Sequence, residues 1–203
     1  MKCISPNALR RLPVYLSYLK QLPDRSGNIS ATAIAGGLGL GDVQVRKDLA
    51  GISGEGKPKT GYNIQNLIDA LETVLGYKSV TNAVIIGAGR LGTALMEYPE
   101  FKEYGLHILA AFDIDPERCS STPGKPPVYP LSQLAVFCRD NAVKIGIITV
   151  PADQAQSVCD RLVENSIHAI WNFAPVHLHA KAGVTVQNEN MAASIALLSN
   201  HLS

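Results

Sequence analysis

The run Val84-Ile85-Ile86-Gly87-Ala88-Gly89-Arg90-Leu91-Gly92 sets an apolar strand before a G-x-G-x-x-G turn that opens a helix, the arrangement that cradles a pyrophosphate. Gly87 permits the tight turn, Gly89 brings the backbone close to the phosphates, and Gly92 lets the helix pack on the strand. The helix start at Arg90 and Leu91 adds free N–H groups and a partial positive charge. A second apolar run, His107 to Phe112, ends at Asp113, 21 residues past Gly92. That spacing suits a carboxylate that takes the adenosine ribose hydroxyls of NAD and repels the extra phosphate of NADP. A glycine-rich turn that binds nothing is the alternative, and the second strand with its terminal acid weighs against it.

Acid–base chemistry beside such a cofactor needs a proton donor or acceptor at the carboxyl ends of the strands. His107 and His168 stand at the amino ends of their expected strands, on the opposite edge. His177 and His179 form an H-x-H pair without a third ligand at sensible spacing, so no metal is expected. Only 90 residues follow Asp113, too few for a separate substrate domain. Catalytic residues are therefore not expected. Cys3, Cys119, Cys138 and Cys159 lack any C-x-x-C pairing and are read as reduced packing residues.

The second chemical signal is basic. Residues 1–62 carry nine Lys/Arg against four Asp/Glu, a net +5, while the remainder is −4 within a chain of net charge +1. A polyanion partner is implied for the first part alone. On an expected helix from Val43 to about Gly51, Val45, Leu49 and Ile52 share one face. Gln44, Arg46 and Lys47 lie toward the other, offering groups that read base edges and phosphates when a helix enters the major groove. The glycine-punctuated segment 54–62 follows, with Lys57 and Lys59 at its tip. Helix, turn, helix and basic hairpin describe a winged helix-turn-helix that contacts double-stranded DNA. Helices serving only dimerisation would give the same pattern.

Leu9, Leu12, Leu16 and Leu19 mark a first amphipathic helix ending before Pro23, with Pro13 at its first turn and 6–11 a separate turn. Ser30 caps a short second helix and Asp42 the third. Ile64, Leu67, Ile68, Leu71 and Leu75 form a linking helix ending at Gly76. Strands 83–87, 107–112, 144–150 and 167–173 then alternate with helices 90–97, 131–140 and 153–165, which argues a parallel sheet covered on both faces. The proline-rich 123–130 is expected to be a loop, and Val184-Thr185-Val186 a last short strand. Met191, Ile195, Leu198 and Leu202 form a terminal apolar stripe, covered either by a partner subunit or by the chain's own sheet. With 46% hydrophobic and 17% charged residues, no membrane-spanning run and no signal-peptide core, a folded cytoplasmic protein is expected.

Four stretches together resemble the redox-sensing transcriptional repressor family called Rex across essentially the whole chain. They are Val43-Gln44-Val45-Arg46-Lys47-Asp48-Leu49, the glycine turn with Tyr98-Pro99 after it, Thr149-Val150-Pro151-Ala152, and Asn172-Phe173-Ala174-Pro175. The resemblance implies a homodimer whose subunits carry a winged helix, a Rossmann domain and a C-terminal helix swapped onto the partner. It implies palindromic operator binding at low NADH, relative to NAD⁺, and release as NADH rises. Gly87, Ala88, Gly89, Arg90, Leu91 and Gly92 would then hold the pyrophosphate and Asp113 the ribose. Tyr98, Thr149, Val150, Pro151, Asn172, Phe173 and Pro175 would surround the nicotinamide end. The chain departs from its relatives at Ala50-Gly51-Ile52-Ser53 and in the wing. It also departs at Ser17 and Asn190, where relatives often carry an arginine and an aspartate. The expected domains are 1–80, 81–188 and a terminal helix 189–203. A small NAD(P)-dependent oxidoreductase, or a protein binding CoA or another nucleotide, remains the alternative.

Overall fold

The computed structural model describes residues 4–54, 56–57 and 60–200. It divides into two compact units, one ending at Ser79 and the other beginning at Val80. Cys3, Glu55, Lys59 and Leu202 lie outside the described residues.

In the first unit α1 (Pro6–Gln21) starts at Ser5, whose hydroxyl accepts from the Ala8 N–H at 3.2 Å. One continuous helix replaces the expected turn and helix, with Pro13 inside it. An interior proline costs about 3 kcal/mol. Tyr15, Leu16 and Leu19 are buried beyond it and Ala8 and Leu12 before it, so core burial on both sides offsets the break. Ser30 caps α2 (Ala31–Leu38) by accepting from Ala33 N–H. In α3 (Asp42–Ser53) Gly41 is the cap residue and Asp42 the first helical residue, one position inside its expected place. Val45 and Leu49 are fully buried as expected, and α4 (Ile64–Leu75) completes the core through Leu67 and Leu71. A two-stranded antiparallel ribbon, β1 (Asn28–Ile29) with β2 (Tyr62–Asn63), anchors the hairpin after α3. Gly61 has φ +77°, and a Cβ there would collide with the Ile29 carbonyl, so only glycine closes this hairpin.

The second unit is a six-stranded sheet in the order β5-β4-β3-β6-β7-β8 with every neighbouring pair parallel. Its strands are β3 (Thr81–Ile86), β4 (Leu106–Asp113), β5 (Val128–Pro130), β6 (Ile145–Ile148), β7 (Ala169–Asn172) and β8 (Thr185–Asn188). The two central strands are apolar and buried without alternation over Ala83–Ile86 of β3 and Gly146–Ile148 of β6, as burial on both faces demands. Covering helices are α5 (Arg90–Met96), α6 (Glu100–Glu103), α7 (Leu134–Asp140) and α8 (Ala152–Glu164). The proline-rich segment is not wholly loop: β5 pairs beside β4, and its edge position tolerates Pro130, which has no N–H to donate. Strand order reverses between β3 and β6, so the crevice past their carboxyl ends is a ligand site by topology. The last helix, α9 (Met191–Asn200), is exposed along its length, and Asn190 caps it by accepting from Ala193 N–H at 3.0 Å.

Candidate nucleotide cleft and nucleic-acid face

At the end of β3, Gly87 turns the chain at φ +103° while its N–H donates to the Phe112 carbonyl at 2.8 Å. A Cβ on Gly92 would fall on the Gly87 carbonyl oxygen, so α5 approaches the turn as closely as only glycine allows. Thr149, just after β6, donates its hydroxyl to the same Gly87 carbonyl at 2.7 Å and closes the turn from the other side. Asp113 ends β4 and is buried. Its Oδ2 accepts from Ala88 N–H at 2.7 Å and its Oδ1 from Asp115 N–H at 2.9 Å, with Arg118 Nη1 at 3.3 Å. Burial raises the affinity of this carboxyl for a proton, but the Asp115 and Ala88 N–H groups and Arg118 outweigh it and hold Asp113 below the usual carboxylate range. The expected ribose acid thus also braces the glycine turn.

These groups border a cleft of about 680 Å³, within the size range of small-molecule sites. Of the residues expected to hold a cofactor, Gly87, Gly89, Leu91, Asp113, Thr149, Val150, Pro151, Phe173 and Pro175 line it. Ala88, Arg90, Gly92 and Asn172 do not: Ala88 is turned onto Asp113, Arg90 is exposed at the start of α5, and Gly92 is buried beneath the turn. Asn172 is fully buried, and its amide donates to the Val176 carbonyl and to Asn188 Oδ1 while its oxygen accepts from Ala174 N–H, which shapes the Phe173–Pro175 bend. Tyr98 lies on a separate hollow with Pro99 and Phe101. Sequence reasoning passed over Ile114, Asp115, Arg118, Leu131, Gln154, Ser157 and Val158, all on the cleft wall. A signal for Arg118 existed in Asp115-Pro116-Glu117-Arg118: the Asp115 side chain caps a short 3-10 turn and brings the arginine back over Gly89. His177 and His179 meet edge to face with ring centroids 5.9 Å apart, and among the described residues no three His, Cys, Asp or Glu side chains gather as a metal set.

In the first unit Arg46 and Lys47 of α3, Lys57 of the hairpin and the start of α2 at Ser30 and Thr32 border one groove of about 630 Å³. Lys59 lies outside the described residues. Gln44 is exposed but off this groove, and its amide donates to Asp48 Oδ1 at 3.0 Å. Asp48, unnoticed as a site residue, is the centre of a buried knot: Arg11 donates to both its oxygens at 2.8 and 3.0 Å and the Tyr15 hydroxyl donates at 2.8 Å. Burial opposes its ionisation, yet Arg11, Tyr15 and Gln44 together hold it below the usual carboxylate range. Burial and the neighbouring Asp48 push the Tyr15 hydroxyl up. The knot ties α3 to α1 from beneath the groove and leaves Arg46 and Lys47 facing out. Among the described residues Arg46 pairs with Asp42, at 3.3 Å, in an exposed pair worth about 0.5 kcal/mol or less.

A winged helix-turn-helix followed by a Rossmann-type parallel sheet defines the class of protein. The family descriptions "Putative DNA-binding protein N-terminus" and "CoA binding domain" match residues 3–50 and 78–176. The redox-sensing transcriptional repressor Rex of Porphyromonas gingivalis is 38% identical over 195 residues, covering 96% of this chain and 89% of its own. That of Treponema denticola is 41% identical over 192 residues, covering 94% and 91%. Among solved structures, that of RSP with β-NAD⁺ and operator DNA superposes with a TM-score of 0.92 at 33% identity, covering all of this chain and 94% of the other. RSP with β-NADH superposes with a TM-score of 0.88 at 33% identity, covering all of this chain and 95% of the other. The chain belongs to the Rex family of redox-sensing transcriptional repressors.

Proposed function

We propose that this chain is a redox-sensing repressor: a homodimer that binds palindromic operator DNA through α3 and its wing and releases it when NADH occupies the cleft. The observation that carries this is the pairing, in one chain, of a basic groove on a winged helix with a glycine-turn cleft. The match to RSP, a protein solved with both operator DNA and β-NAD⁺, covers the whole of this chain. Arg46 would read bases, and Lys47, Lys57 and Lys59 would neutralise phosphates. The first-turn N–H groups of α5, Gly87 and Gly89 would take the pyrophosphate, and Asp113 with Arg118 the adenosine end. Val150, Pro151, Phe173 and Pro175 offer an apolar stretch of the cleft wall that would take the nicotinamide end. A neutral dihydronicotinamide suits that wall, whereas the cationic oxidised ring would be desolvated there. The dinucleotide is sensed rather than consumed, in the cytoplasm where operators and the NADH pool meet.

Release requires only that NADH prefer a dimer arrangement whose recognition helices do not stand the roughly 34–36 Å apart that successive major grooves demand. A tenfold preference contributes about 1.4 kcal/mol against operator binding, and operator weakens NADH binding by the same factor. The test is anisotropy of a labelled palindromic duplex, selected from a random pool, at fixed salt. Nanomolar binding abolished by NADH and not by NAD⁺ is expected; binding that neither dinucleotide alters removes the sensing role. The match to a CoA-binding domain description favours one second reading, CoA in the same cleft, which CoA affinity exceeding that for NADH would establish.

A further inference from the structure

Side chains alternate along β7, so Ile170 and Asn172 point to one side of the sheet and Trp171 to the other. Trp171, the chain's single tryptophan, packs against Phe173 with ring centroids 4.9 Å apart, and Phe173 forms part of the cleft wall. The indole N–H donates to Glu189 Oε1 at 2.8 Å, and Glu189 is not among the residues lining the cleft. Backbone and side chain repeat the connection one residue on: Glu189 N–H donates to the Asn172 carbonyl at 2.8 Å, and the Asn172 amide donates to Asn188 Oδ1 at 2.9 Å. Asn190, next in the chain, is the neutral cap on which α9 starts. A ring on the cleft wall is therefore two contacts from the residues that fix where the exposed terminal helix begins.

We propose that Trp171 and Glu189 are a positioning pair that carries the state of the nicotinamide end of the cleft to the start of α9; this rests on the cofactor reading above. The indole N–H lies in the plane of its ring and hydrogen bonds weaken steeply as they bend, so the bond to Glu189 reports the orientation of Trp171. An occupant that displaces Phe173 turns the packed indole, because a close-packed pair of rings moves together. Losing or keeping that bond biases the 188–190 segment. The pair would serve as a device for coupling, with no need to touch the dinucleotide or the DNA.

The full chain tests this with NADH titrated against the operator duplex, alongside direct titration of NADH binding. Glu189→Ala and Trp171→Phe, each lacking one partner of the bond, should bind NADH within about twofold of the unaltered protein yet need about tenfold more NADH to release half the operator, about 1.4 kcal/mol of coupling. Glu189→Gln retains the acceptor oxygen and should respond like the unaltered protein, and the double variant should shift no further than either single one. Half-release concentrations that follow NADH affinity in every variant, with only thermal midpoints changed, would make the pair a plain staple of β8 and overturn the proposal. An unaltered protein that binds NADH and keeps its operator would overturn the repressor reading first, and the pair's role with it.

Discussion

Individual atoms decide how the cleft and the wing are built. Gly92→Ala places a methyl on the Gly87 carbonyl oxygen, so α5 has to retreat from the turn. Overpacking of this kind costs about 1–3 kcal/mol, and calorimetry should show that loss together with at least tenfold weaker NADH binding. Asp113→Ala frees the Ala88 N–H and removes one of the two carboxylates that pair with Arg118, leaving Asp115; NADH affinity should fall while operator binding without ligand stays, and an unchanged NADH affinity would take Asp113 out of the site. Acid should unfold the protein through the same groups. Asp48 and Asp113 both ionise below the unfolded carboxylate value of about 3.9, so the stability each contributes is fully present above that pH and is lost as pH falls through the lower folded value. Asp48→Asn should flatten the pH dependence of stability below about pH 4, measured by urea unfolding.

At the scale of elements, α3 is held as much as it is exposed. Its outward face presents Arg46 and Lys47, and its inner face is locked to α1 by Asp48, Arg11 and Tyr15. Removing Arg11 from this partly buried pair leaves the buried Asp48 carboxylate with the neutral donors Tyr15 and Gln44, a loss of about 1–3 kcal/mol. Arg11→Met should therefore weaken binding to every duplex without changing its salt slope, since no phosphate contact is deleted. Lys57→Ala should do the reverse, weakening all binding modestly and lowering the salt slope by about one unit. Arg46→Ala should erase preference at particular base pairs; equal losses on random and selected DNA would refute its base-reading role.

For the whole molecule, α9 presents Met191, Ile195 and Leu198 with more than half of each side chain exposed. Apolar faces of this kind are covered when subunits associate. Sedimentation should show a dimer, and Ile195→Glu with Leu198→Glu should give monomers that lose tight operator binding, because half-sites are then engaged singly. The sequence by itself determined the order of the units, the parallel sheet, the glycine turn, the acid ending β4 and the outward face of α3, all local patterns that one turn or one strand imposes. Pro13 within α1, the edge strand holding Pro130, the Asp48 knot and the Trp171–Glu189 bond were decided only in three dimensions. Arg11 and Asp48 are 37 residues apart, and Trp171 and Glu189 are 18. Periodicity carries no term for partners at such separations, because packing of the finished core and sheet, not the local chain, brings them within reach.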